Sequence, residues 1–183
     1  MKQMCFTGHR TLNKAYFNAG SPTTEWSAIW NWLFYTFLPE AYKIGYTDFY
    51  VGGALGVDMM AGLSLYQHKV SGFAPDININ LCIPHPTYNA RWCMDRDRSN
   101  LDVIKSVATT HTLFDETVPF AIWMLQRRNE FMVDRSITCT GIYDGRDHGG
   151  TRNCLGYAHV NQKQVIEINP YKPELPEEGE WKR

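Results

Sequence analysis

The stretch that decides the fold is residues 48–58, Asp-Phe-Tyr-Val-Gly-Gly-Ala-Leu-Gly-Val-Asp. Its first four residues, Asp48–Val51, include aromatic and β-branched side chains and predict a strand. The three glycines that follow predict a tight turn, and Val57–Val70 has helical character. A strand, a glycine turn and a helix in direct succession are typical of a βα unit in a parallel sheet.

Outward from this unit, short strand-type runs alternate with helix-type segments along the chain. The predicted strands are Met4–Thr7, Asp48–Val51, Ile77–Ile83, Thr110–Leu113, Ile137–Tyr143 and Val165–Ile168. The predicted helices are Glu25–Ala41 (capped by Thr23 or Thr24), Val57–Val70, Asn89–Val107, Phe120–Arg135 and Thr151–Asn161. This alternation predicts an α/β fold with a mainly parallel sheet.

The length of 183 residues predicts one domain, which we place at residues 1–170. Residues 171–183 contain Pro173, Pro176 and four glutamates, and this acidic tail is expected to be a peripheral or mobile extension.

Charge and cysteine usage exclude several classes of protein. The 18 Lys+Arg and 19 Asp+Glu residues nearly balance, whereas proteins that hold nucleic acid mainly by neutralising phosphates need a basic surface. Nucleic acid is therefore not an expected partner. The five cysteines form no C-x-x-C pair and the six histidines show no metal spacing, so we expect no metal site. No signal peptide or membrane-spanning stretch is recognisable, and we expect a soluble cytoplasmic protein.

Three glycine turns follow predicted strands. They are Thr7-Gly8-His9-Arg10, Gly52 to Asp58, and Gly149-Gly150-Thr151. In an open parallel sheet, ligands bind outside the carboxyl ends of the strands. Glycine permits close backbone approach, and a helix N-terminus offers unpaired N–H groups to a phosphate. The three turns therefore predict a phosphate-binding site. They contain neither a Walker A Gly-Lys-Ser/Thr sequence nor the G-x-G-x-x-G dinucleotide fingerprint, so neither an ATPase nor an ordinary dehydrogenase is supported.

Taken with two further motifs, Trp92…Asp95-Arg96-Asp97-Arg98 and Arg128-Asn129-x-x-Met132-Val133-Asp134-x-Ser136, the chain resembles the YpsA-like branch of the SLOG superfamily. This superfamily is named for the Smf/DprA proteins and the LOG hydrolases. The resemblance covers Met1 to Tyr171 and implies a modified Rossmann-like, three-layer fold with helices on both faces of the sheet. It also implies binding of nucleotides or NAD- or ADP-ribose-like molecules. We expect a bound nucleotide or nucleotide derivative and no required cofactor.

The expected ligand-binding residues lie in and beside the glycine turns: Thr7, Gly8, His9, Arg10, Gly52, Gly53, Ala54, Gly56, Asp58, Asp144, Gly149, Gly150, Thr151 and Asn153. Arg10 is expected to pair with a phosphate. His9 could contact a ligand or hold the turn. Asp58 could bind ribose hydroxyls or stabilise the start of its helix.

Arg128 is the main candidate catalytic residue, because it matches the position of an arginine that supports N-glycosidic cleavage in the LOG hydrolases. The glutamate that those enzymes place after their glycine motif is absent here, since Arg152, Asn153 and Cys154 follow Thr151. Glu130 or Asp134 could substitute for it, although both could equally form salt bridges along their helix.

Three functions remain open, in this order. The first is a sensor or sequestering module for a nucleotide-derived ligand. The second is a LOG-like hydrolase of an N-glycosidic bond in a nucleotide, and the third is DprA-like binding of single-stranded DNA. The resemblance also implies a homodimer or higher homo-oligomer, to which the aromatic helix Trp26–Leu38 could contribute.

Overall fold

A computed structural model describes residues 1–11 and 24–181 of the chain. Within these ranges, six strands form a single parallel sheet of order β4-β3-β2-β1-β5-β6. The strands are β1 (Lys2–Gly8), β2 (Tyr46–Val51), β3 (Asn78–Ile83), β4 (Thr109–Thr112), β5 (Thr138–Ile142) and β6 (Gln164–Ile168). The predicted succession of six strands along the chain and the predicted parallel sheet are confirmed.

Helices cover both faces of the sheet, which gives the predicted three layers. The helices are α1 (Thr24–Trp32), α2 (Leu38–Lys43), α3 (Val57–Val70), α4 (Asp95–Lys105), α5 (Trp123–Asp134) and α6 (Gly150–Val160). The first four pack in the larger apolar core on one face, and α5 and α6 pack in a smaller core on the other. Strand β1 serves both cores, because Met4 and Phe6 point to the first and Cys5 to the second.

The predicted helix Glu25–Ala41 is divided by a π-helical turn, Leu33–Phe37, between α1 and α2. The N–H of Leu38 reaches the carbonyl of Leu33, five residues back. Pro39 has no N–H and its ring crowds the preceding turn, which explains the wider spacing. The proposed cap residue Thr23 lies outside the described residues, as does the side chain of Thr24.

The predicted helix Asn89–Val107 is too long at its start, because α4 begins only at Asp95. Short backbone hydrogen bonds from Ala90 to Thr87 and from Trp92 to Asn89 make this segment a series of turns. The charged and apolar pattern of α4 thus extends into a loop that is not helical.

The acidic tail is not wholly peripheral. Trp181 closes a 3₁₀ turn, Glu178–Trp181, and only 5% of its surface is exposed. Its ring lies 5.2 Å from that of Phe37 and 6.2 Å from that of Tyr46, and its indole N–H donates to the carbonyl of Pro176. The burial of this large ring explains why the tail is fixed on the core at Trp181.

Candidate functional site

The glycine turns lie at the carboxyl ends of three adjacent strands, β2, β1 and β5. The chain adds strands on one side of β1 up to β4 and then crosses to β5 on the other side. The gap between β1 and β5 is therefore the topological switch point, where open α/β sheets bind ligands. The sequence correctly predicted that the turns would meet at one edge.

A depression of about 400 Å³ opens at this edge, and we call it the glycine-turn depression. Its walls come from the loops after β1 and β5 and from the starts of α3, α5 and α6. The predicted ligand-binding residues that line it are Thr7, Gly8, His9, Arg10, Ala54, Asp58, Gly149, Gly150, Thr151 and Asn153. Arg128 also lines it, whereas Gly52, Gly53, Gly56 and Asp144 support the walls without lining them.

Two glycines with positive φ start the helices that face the depression. Gly56 precedes α3 with φ 87°, and Gly149 precedes α6 with φ 106°. A Cβ on Gly56 would also overlap the carbonyl oxygen of His9. Only glycine satisfies both requirements there, so the turns after β1 and β2 can pack backbone to backbone.

The second glycine turn is held by two charged side chains. Asp58 Oδ1 accepts a hydrogen bond from the N–H of Gly52 at 3.0 Å, and Arg128 Nη1 donates to the carbonyl of the same glycine. Asp58 and Arg128 are 5% and 4% exposed. Burial raises the pKa of Asp58 above its usual range, although Arg128 and the Gly52 N–H act in the opposite direction.

Asn129 connects this arrangement to the third glycine turn. Its Oδ1 accepts from Arg128 Nε at 2.9 Å, and its Nδ2 donates to the carbonyl of Gly150 at 3.4 Å. A chain of hydrogen bonds therefore runs from the buried Gly52 through Arg128 and Asn129 to the exposed start of α6. Sequence reasoning included Asn129 in a motif but assigned it no role.

A second set of contacts joins the loops after β1 and β5. His9 Nε2 lies 2.7 Å from Asp144 Oδ1, and Arg146 Nε donates to the same oxygen at 2.9 Å. Arg146 Nη2 also donates to the carbonyl of Thr11 at 3.3 Å. The arginine and the histidine hold the pKa of Asp144 below its usual range, whereas burial lowers the pKa of His9 despite Asp144. These contacts favour the structural role of His9, and they make Arg146 a supporting residue that sequence reasoning missed.

The two helix starts differ in charge. The first turn of α3 contains the buried carboxylate of Asp58, whereas the first turn of α6 contains no acidic residue. Arg10 is exposed at the rim and, among the described residues, forms no ion pair within 4 Å. Free N–H groups at α6 and the Arg10 guanidinium thus supply local positive potential.

The two alternative carboxylates, Glu130 and Asp134, lie away from the glycine-turn depression. They line a separate surface depression beside Arg127 and Phe131. Arg127 Nη1 donates to Glu130 at 2.6 Å, and Tyr157 donates to Asp134 at 3.0 Å. The structure therefore does not bring them together with Arg128, whose side chain is directed to Gly52.

Tyr88 is another supporting residue that sequence reasoning missed. Its hydroxyl donates to the carbonyl of Gly53 at 3.1 Å, and burial raises its pKa. It follows β3 in a loop without a recognisable motif, so no sequence signal linked it to the second glycine turn. Among residues 1–11 and 24–181, no group of three His, Cys, Asp or Glu side chains could hold a metal ion, and no helix could span a membrane.

The sheet order and the crevice beside three glycine turns define a doubly wound α/β protein of the Rossmann-like class. Within that class, the chain belongs to the YpsA family, described as the YspA SLOG family, whose sequence profile matches residues 4–172. The suspected resemblance is thereby confirmed.

One relative and two solved structures are similar to this chain. The uncharacterized SPbeta prophage-derived protein YoqJ of Bacillus subtilis (strain 168) is 31% identical over 119 residues, which cover 60% of this chain and 68% of YoqJ. DNA processing protein A of Helicobacter pylori, described with a single-stranded DNA binding mode, matches 92% of this chain with a TM-score of 0.60 and 15% identity. The Streptococcus pneumoniae DNA processing protein A matches 97% with a TM-score of 0.59 and 11% identity. The chain spans only 65% and 52% of these two proteins, and at such identities they show the fold alone.

Proposed function

We propose that this protein binds a nucleotide-derived ligand, either a nucleoside phosphate or an NAD- or ADP-ribose-like molecule, in the glycine-turn depression. As a sensor or sequestering module, it would hold the ligand without converting it. The observation that carries the proposal is the meeting of two helix starts of unlike charge, α6 without an acidic residue and α3 with Asp58.

The start of α6 is the preferred place for a phosphate. Gly149 and Gly150 are exposed and leave the backbone open to close approach, and Thr151 lines the same wall. N–H groups in a first helical turn have no partner within the helix and stabilise an anion. Arg10 stands at the rim and can add a charge-assisted hydrogen bond.

The start of α3 suits a hydroxyl-bearing group instead. The carboxylate of Asp58 would repel a phosphate but can accept hydrogen bonds from a ribose diol. Because its Oδ1 already accepts from Gly52, its position in the wall is fixed before a ligand arrives. The ligand is therefore oriented with phosphate towards α6 and sugar towards α3.

Isothermal titration calorimetry with AMP and ADP-ribose tests this proposal. We expect binding to the native chain and a loss of about tenfold or more in Arg10→Ala, since a hydrogen bond to a charged group contributes about 1.5–3 kcal/mol. Arg96→Ala is the matched control, because Arg96 is exposed in α4 and does not line the depression. Absence of binding of both ligands at millimolar concentration would contradict the proposal.

A hydrolase remains the second candidate, and one observation favours it. Cleavage of an N-glycosidic bond by water needs a carboxylate near the sugar, and Asp58 is a buried carboxylate of raised pKa that lines the depression together with Arg128. Water would add across the bond of a nucleoside monophosphate to give ribose 5-phosphate and the free base. Chromatography after incubation with AMP decides this: base release must be lost in Asp58→Asn, and no release above an Arg128→Ala control excludes the activity.

Binding of single-stranded DNA is a third candidate function. The likeness to the Helicobacter pylori protein is the one observation that favours it, and the nearly balanced charge of the chain opposes it. A salt-dependent gel shift with single-stranded DNA would support this function.

We also propose that the protein forms a homodimer. Exposed aromatic side chains suggest this, such as Tyr35 and Phe73, which are 72% and 52% exposed. A monomeric mass by light scattering would contradict it.

A further inference from the structure

A second depression lies on the outer face of α6, and we call it the α6 groove. It has a volume of about 650 Å³ and is lined by Tyr143, Arg152, Gly156, His159 and Glu167, among others. Gln126 and Asn153 line both this groove and the glycine-turn depression. The two spaces are therefore neighbours on either side of the first turns of α6.

Gly156 is an exposed glycine within α6 that no contact in the fold requires. Apart from its two chain neighbours and the nearby backbone of its own helix, no atom of the described residues lies within 4 Å of a Cβ placed here, and the helix continues for four more residues to Val160. Glycine inside a helix costs about 1 kcal/mol relative to alanine. The absence of a side chain at Gly156 instead allows a flat group to lie directly against the helix backbone.

The side chains around Gly156 in the α6 groove combine aromatic rings with hydrogen-bonding groups. Tyr143 is half-buried, and its hydroxyl donates to the carbonyl of Arg146, so its ring is fixed. His159 Nε2 lies 3.6 Å from Glu167 Oε1, and both side chains line the groove. The side chain of Arg152 is exposed and forms no hydrogen bond or ion pair within 4 Å among the described residues. This combination suits an aromatic heterocycle with a polar edge, linked to an anionic group near Arg152.

We infer that the α6 groove holds the second half of a pyrophosphate-linked dinucleotide whose first half occupies the glycine-turn depression. The pyrophosphate would pass the start of α6 between them, beside Asn153 and Arg152. Gly156 lies six residues beyond Gly150, about 9 Å along the helix, so the second half must extend well past the phosphate. This inference rests on the proposed function and selects, within it, the larger ligand over a mononucleotide.

Calorimetry with NAD, ADP and AMP on the native chain and on Gly156→Leu tests the inference. The native chain should bind NAD at least about tenfold more tightly than AMP or ADP, because only NAD carries a second nucleoside, with its aromatic base, beyond the pyrophosphate. Gly156→Leu fills the groove and should remove this preference while leaving the affinity for AMP unchanged. Gly156→Ala is the matched control: it raises helix propensity in the same way but adds one methyl group, and it should retain most of the preference.

The outcomes separate this inference from the proposed function. If AMP binds as tightly as NAD, or if Gly156→Leu keeps the full preference for NAD, the groove is not a subsite and the inference is overturned, while nucleotide binding stands. If none of the three ligands binds, the proposed function fails and the inference fails with it.

Discussion

Asp58 and Arg128 hold the same residue from two sides: the carboxylate accepts the N–H of Gly52, and the guanidinium donates to its carbonyl. The two side chains come from different helices, α3 and α5, which pack on opposite faces of the sheet. They meet at the end of β2, where the positive charge of Arg128 favours the ionised form of the buried Asp58 carboxyl. The shape of the glycine-turn depression therefore depends on this pair.

Gly52→Ala should destabilise the protein and weaken ligand binding. A Cβ at Gly52 would overlap the Arg128 guanidinium and lie 2.6 Å from Asp58 Oδ1, so both buried charges would have to move. We expect a loss of about 2 kcal/mol or more in the free energy of unfolding, measured by urea denaturation. Gly62→Ala is a suitable control, because the three atoms nearest to its Cβ all belong to the Ile104 side chain, and the closest is the terminal Cδ1 at 2.6 Å. Equal losses in the two variants would contradict the special role of Gly52.

Stability should fall as the pH drops from 7.5 to 5.5. Burial lowers the pKa of His9, His68 and His111 below 6.5, so the unfolded chain takes up protons before the native one. Their contribution is complete above about pH 6.5 and is lost as the pH falls towards the lower native values. Asp58 acts in the opposite sense, because its raised pKa favours the native state as the pH falls towards 3.8.

Urea unfolding at the two pH values measures this dependence. In His68→Leu one of the three groups is gone, and the loss of stability between pH 7.5 and 5.5 should be smaller than in the native chain. A loss of equal size would show that burial of His68 does not oppose its protonation.

Trp181→Ala should lower the free energy of unfolding by about 3 kcal/mol, because a buried indole in contact with Phe37 and Tyr46 is removed. Circular dichroism during urea denaturation would measure the change. Leu175→Ala, at an exposed position of the same tail, should cost well under 1 kcal/mol. If Trp181 did not pack on the core, Trp181→Ala and Leu175→Ala would lower the free energy of unfolding by equally small amounts.

Gln162→Gly should stabilise the protein by about 0.5–1 kcal/mol. Gln162 follows α6 with φ 56°, a left-handed conformation that glycine adopts without the Cβ penalty. The same substitution inside a helix, Gln67→Gly in α3, should instead destabilise by about 0.5–1 kcal/mol. Thermal unfolding of the two variants would show opposite shifts in Tm; shifts of the same sign would contradict the assignment.

The sequence predicted the elements whose pattern is local. Helix α3 begins and ends at the predicted residues, Val57 and Val70, because a glycine turn fixes its start and its apolar residues are regularly spaced. The other helices and strands differ mainly at their ends. The predicted helix Asn89–Val107 contains α4 but begins too early, because the turns between Pro84 and α4 present charged and apolar residues at spacings that resemble a helix.

The contacts of the site depend on distant residues, and these were harder to predict. The glycine turns carry their own signal, but the link from Tyr88 to Gly53 joins residues 35 positions apart, and the link from Arg128 to Gly52 joins residues 76 apart. No local pattern encodes such pairs. Likewise, only the fold shows that Glu130 and Asp134 face away from the depression and that Asp58 is the carboxylate within it.

A crystal structure of the protein soaked with AMP tests the central claim most directly. We predict that the phosphate lies within hydrogen-bonding distance of the Gly150 and Thr151 N–H groups and of Arg10, with the ribose hydroxyls at Asp58. A phosphate bound at the start of α3, or an AMP molecule found only outside the glycine-turn depression, would contradict the account.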